Sequence, residues 1–199
     1  MQALNADDTF HFELLRVLGT SRDRGADIGE VLDIAQRIIP GDFESWYEQF
    51  NELAGHVRAG VEPQSDGHRV SIRNALFRAA TYYRAADFFL HGNPRDPRIR
   101  ETWKNATACF DHAISLLDVP GQRIPIDGGT FQIPAILYCP SEEVRPRPTL
   151  LVFNGFDGSQ EEMLHQVGFA ALERGFNVLT FDGPGQPTVP SRTDTLECP

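Results

Sequence analysis

The stretch Leu150–Gln186, "LLVFNGFDGSQEEMLHQVGFAALERGFNVLTFDGPGQ", decides the fold. With Thr149 before it, "TLLVFN" is a continuous apolar run of the length expected for a strand buried on both faces. "GFDGSQEE" follows as a Gly-rich turn, whose glycines suit a tight turn at positive φ. Ser159 and Glu162 stand at capping-box spacing, so a helix starts there and runs to about Arg174, where Gly175 ends it. "FNVLTFD" is the next buried strand. Asp182 closes it, and Gly183 and Gly185 let the backbone turn back. The stretch is one βαβ unit, right-handed by the crossover rule.

On the N-terminal side the pattern changes near Pro120. "QRIPI" and "GTFQIPAILYCP" read as two strands joined through Asp127-Gly128-Gly129, a hairpin signal. Before Pro120, apolar residues recur at helical spacing. Asp27 and Glu30 form a capping box ahead of Val31, Leu32 and Ala35. Ser45 and Glu48 repeat that box ahead of Trp46, Phe50, Leu53 and Val57. Ser71 begins a longer helix, which "GNPRDP" breaks. Asp96 and Pro97 then supply an N-cap and a first-turn proline. Four or five helices are expected. The domains are a helical region over 1–119, a partial α/β core over 120–186 and an irregular tail over 187–199.

The bulk properties fit a globular α/β protein: 199 residues, 41% apolar, 23% charged. A net charge of −10 argues against nucleic acid or an anionic membrane as partner. No run approaches the roughly 18 apolar residues of a membrane helix. The start has no secretory pattern, and the three cysteines form no metal or disulfide spacing. A cytoplasmic setting is expected, and the Asn105-Ala106-Thr107 sequon is read as chance.

The turn after the first buried strand lies where open α/β sheets bind ligands, and its backbone amides would suit a negative oxygen. It is neither a P-loop nor a dinucleotide fingerprint. A helical region followed by "IPAILYCP", "LLVFNGFDGSQEEM" and "FNVLTFDGPGQ" resembles the α/β-hydrolases with a helical N-terminal cap. The resemblance is to fungal polyketide-modifying hydrolases, of the pigment-shortening, fusarin and cytochalasan types. A bacterial pseudooxynicotine hydrolase is more distantly similar. "SIRNALFRAATYYRAADFFL" resembles the cap helix of that group.

The resemblance implies an α/β fold, with an all-helical cap followed by the first, incomplete half of the hydrolase sheet. It implies that Gly155 and Phe156 line the oxyanion side and that Asp157 is an acidic residue near the substrate. Asp182, Gly183 and Gly185 would form the loop after the fourth strand. Tyr82, Tyr83 and Phe88 would wall the substrate pocket. The substrate would be a small polyketide-type molecule attacked at a carbonyl, with no cofactor and no metal.

The hydrolase mechanism needs G-x-S-x-G, then Asp, then His, and no G-x-S-x-G occurs in these 199 residues. Ser159 reads as a helix cap and Ser191 has no elbow context. The six histidines read as surface or satisfied, so no triad is assigned. Pro187 departs from the family's continuation after Gln186. The chain is therefore expected to be a truncated product, with the missing strands pairing beside the fourth and an edge or a face of "NVLTF" left exposed. A non-catalytic binding module is the alternative, as a homo-oligomer or with a sheet-completing partner. A helical-repeat interaction protein ranks last.

Overall fold

The computed structural model describes residues 3–61, 68–129, 131–155 and 157–186. The chain divides between Ile114 and Ser115 into two compact units. Among the described residues five α-helices belong to the first, the last ending at the boundary: α1 (Asp8–Gly19), α2 (Ile28–Ala35), α3 (Phe43–Ala59), α4 (Arg69–Asp87) and α5 (Pro97–Ser115).

Local chemistry sets the helix starts. Asp7, Asp27 and Asp42 each accept two backbone N–H groups from the first turn of α1, α2 and α3. The expected start of α3 at Ser45 is thereby moved three residues toward the N-terminus, to Asp42. Ser45 Oγ instead accepts the amide of Ile39 at 3.0 Å, tying the preceding loop to the helix. The helix expected from Ser71 begins at Arg69. Asp96 takes the amide of Arg98 at 3.0 Å, and Pro97 opens α5 as its sequence requires.

The capping box expected at Asp27 is only half formed. Asp27 caps the helix, but Glu30 does not reach back to it. Glu30 takes both Arg78 Nε and Nη2, at 2.9 and 3.2 Å, and the Tyr82 hydroxyl at 2.7 Å. The Asp27 amide donates to that same Tyr82 oxygen at 2.8 Å. A polar net from α4 thus replaces the local box, because a long-range partner satisfies the same donor while joining two helices. The core beneath is aromatic: Phe10, Trp46, Phe50, Phe77 and Phe110 are all buried. Trp46 Nε1 donates to the Ala85 carbonyl at 2.7 Å, so the indole is buried with its polar atom satisfied.

The second unit is a four-stranded sheet with a helical segment. Its strands are β1 (Gln122–Asp127), β2 (Gln132–Tyr138), β3 (Thr149–Phe153) and β4 (Asn177–Phe181), in the order β1-β2-β4-β3. β1 and β2 form the expected antiparallel hairpin, from Gln122 opposite Leu137 to Asp127 opposite Gln132. β2 pairs antiparallel with β4, and β3 pairs parallel with β4. Between β3 and β4 run α6 (Gln160–Met163), a π turn at Leu164–Gly168, and α7 (Phe169–Glu173). Gly175, at φ 81°, ends this segment as expected.

Two expectations about the sheet are overturned. β4 has no open edge, since β2 and β3 flank it. The edge strands among the described residues are β1 and β3, and in β3 Leu151 is 62% and Phe153 69% exposed, so "TLLVF" is not buried on both faces. An apolar run reports that a strand is meant for an interior, not which neighbours supply that interior.

Candidate functional site

β3 and β4 are parallel and in register, with Phe153 beside Phe181. The residues that follow them, 154–155 with 157–159 and 182–186, therefore leave the sheet side by side at its carboxyl end. Gly155 and Asp157 are exposed there, whereas Gly158 and Ser159 are buried. Ser159 Oγ accepts the amide of Glu162 at 3.4 Å, the capping contact expected of it. Phe156 lies outside the described residues, as does the tail from 187 on.

The glycines of the first turn are not there for positive φ, contrary to the expectation. Neither Gly155 nor Gly158 has it, whereas Gly185 in the second turn does, at 86°. Gly158 is needed for space. A Cβ there would lie 1.7 Å from Asn154 Nδ2, inside the Asn154 side chain. Asn154 Oδ1 accepts the Gly155 amide at 2.8 Å and Nδ2 donates to Glu162 at 3.3 Å.

Asp182 is fully buried, and its Oδ1 accepts the Gln160 amide at 2.8 Å, at the start of α6. Asp182 is thus more than the end of a strand: it pins the beginning of the neighbouring helix, where a carboxylate suits the unpaired amides. Gln186 donates through Nε2 to the Asn154 and Gly155 carbonyls at 2.9 and 2.7 Å. Its Oε1 accepts the Gly183 amide at 2.6 Å. Asn154, Gln160 and Gln186 escaped the sequence reading. Its signals were glycines and charges, and neutral amides carry none.

The remaining candidates sort by burial. Tyr82 and Tyr83 are buried within the helical unit, and the Tyr82 hydroxyl is committed to Glu30 and Asp27. Phe88 lies against Phe89 and under the Arg16 guanidinium. His165 is buried in the π turn beside Phe169. Among the described residues no three His, Cys, Asp or Glu side chains are grouped to hold a metal ion. No described helix is long and apolar enough to cross a membrane.

A helical region ahead of a β1-β2-β4-β3 sheet, with a paired turn at its carboxyl end, has the fold of the α/β hydrolases. Over 85% of this chain and 46% of that one, it superposes on the crystal structure of 2,6-dihydroxy-pseudo-oxynicotine hydrolase with a TM-score of 0.69 and 24% identity. No protein-family model matches the chain. In sequence it is similar to fungal hydrolases. It is 39% identical over 194 residues to hydrolase acrC of Aspergillus aculeatus, covering 90% of this chain and 45% of that protein. It is 41% identical over 192 residues to 20-hydroxy-prefusarin hydrolase FUS2 of Gibberella moniliformis, covering 94% and 46%. With the α/β hydrolase psoB of Aspergillus fumigatus the identity is 37% over 188 residues, covering 89% and 42%. The chain thus spans just under half the length of the curated relatives it matches.

Proposed function

We propose that these residues form the helical cap and the oxyanion side of a fungal α/β hydrolase acting on a carbonyl of a small polyketide-type molecule. The bond broken would be C–C or acyl. The observation that carries this reading is the turn after β3, held against the turn after β4 at the carboxyl end of a parallel strand pair. Backbone amides fixed in that place stabilise negative charge developing on a carbonyl oxygen without reorganising during reaction. Gly155 and Asp157 are the exposed residues of that turn, and Phe156 is assigned there by resemblance. The nucleophile, acid and histidine of such a mechanism are not assigned to any residue of this chain.

The test joins residues 1–186 in frame to the C-terminal part of 20-hydroxy-prefusarin hydrolase and assays hydrolysis of a small acyl ester. Turnover is expected from the fusion and none from the 199-residue chain. A folded fusion without turnover, beside an active parent relative, refutes the reading. A second reading is a binding module without catalysis. It predicts that a polyketide raises the melting temperature of this chain by mass action while remaining intact.

A further inference from the structure

We infer that Gln186 is a positioning residue, whose side-chain amide holds the turn after β3 in the shape that the proposed hydrolysis requires. The inference rests on that proposed function. Gln186 is 8% exposed and both ends of its amide are used. Nε2 reaches the Asn154 carbonyl at 2.9 Å and the Gly155 carbonyl at 2.7 Å, while Oε1 takes the Gly183 amide at 2.6 Å. One side chain therefore ties its own turn and the neighbouring one together. Gly155 O also receives the long contact from Gly158 N, at 3.4 Å.

The chemistry selects glutamine. The position needs two donors toward carbonyl oxygens and one acceptor toward an amide, and only a primary amide of this length offers both. A glutamate would keep the acceptor and set a negative charge against two carbonyl oxygens. A leucine would keep the bulk and leave all three backbone groups without this partner. Asp182 makes a second tie four residues earlier, through the Gln160 amide. The turn is thus held near both ends by the loop after β4, at Asn154–Gly155 by Gln186 and at Gln160 by Asp182. A carbonyl held in place fixes the peptide unit it belongs to, because that unit is planar. Positioning of this kind acts on the transition state more than on substrate binding.

The test has two arms. In the 199-residue chain, amide hydrogen exchange and backbone shifts are compared for the parent, Gln186→Leu and Gln186→Glu. Leu is expected to speed exchange at Gly183 and shift the Gly155 and Gly158 resonances. Glu is expected to keep Gly183 protected yet shift Gly155. Unchanged Gly155 and Gly158 in both variants overturn the inference, whatever the activity. In the active fusion, both variants are expected to lower kcat about 10- to 100-fold, with KM changed less than about twofold. Unchanged kcat there refutes the positioning role and leaves the proposed function standing. A folded but inactive parent fusion, with resonances that do respond to Leu, refutes the proposed function and reduces Gln186 to a structural latch.

Discussion

Tyr82 shows how one hydroxyl can organise a helical unit. It donates to Glu30 and accepts from the Asp27 amide, so removing it strands two partners. Tyr82→Phe should cost about 1–3 kcal/mol, read from denaturant midpoints at pH 7; a change below about 0.5 kcal/mol would show the net to be ornamental. Burial raises this phenol's pKa well above its ordinary value, with the Asp27 amide opposing and Glu30 adding to the rise. The folded protein therefore keeps the proton that the unfolded chain gives up near pH 10, so this stability is full below that pH and declines above it. The fall between pH 9 and 11 should be shallower in Tyr82→Phe, and parallel curves would contradict the assignment. Gly158→Ala makes a separate case, because its methyl must displace the Asn154 side chain. A loss of about 1–3 kcal/mol is expected from the melting of the sheet unit. At this scale the sequence was readable where a residue acts on its own neighbourhood, as Asp27, Asp96 and Ser159 do at helix starts. It was unreadable where the partner is distant: nothing near Glu30 announces Arg78 or Tyr82, and nothing near Gln186 announces Asn154.

Among the elements, β3 is the one whose sequence and setting disagree most. Its composition is that of an interior strand, yet it is an edge strand with exposed Leu151 and Phe153 and no lysine or proline to discourage pairing. Leu151→Lys with Phe153→Lys should shift the 199-residue chain from larger species to monomer in light scattering. The same pair should change unfolding free energy by less than about 0.5 kcal/mol per site, since neither side chain is buried. An unchanged distribution of species would show that this edge does not associate. Element existence and type were legible: the hairpin, the helix closed by Gly175 and the two parallel strands all follow from local pattern. Strand order was not, because hydrophobic runs carry no address. The expectation of an exposed edge on β4 failed for that reason, as β4 lies inside the sheet between β2 and β3.

Across the whole molecule, the two units differ in how fully they enclose apolar surface. The helical unit buries Phe10, Trp46, Phe50, Phe77 and Phe110, while the sheet unit leaves Leu151 and Phe153 of its edge strand β3 exposed. Unfolding should therefore occur in two steps, the sheet unit first. Trp46 and Trp103 are the only tryptophans and both precede Ile114, so indole fluorescence reports the helical unit alone. Its denaturant midpoint should exceed that for loss of amide protection in β2 and β4, and coincident midpoints would refute the two-step scheme. The strand order also bears on how the chain is made. β1 and β2 can pair as soon as both have left the ribosome. β3 emerges next and must wait for its partner, because among the described strands it pairs with β4, which is translated last of the four. Until Phe181 is free of the exit tunnel, "TLLVF" is a sticky segment in waiting, and the nascent chain needs a chaperone's attention most in that interval.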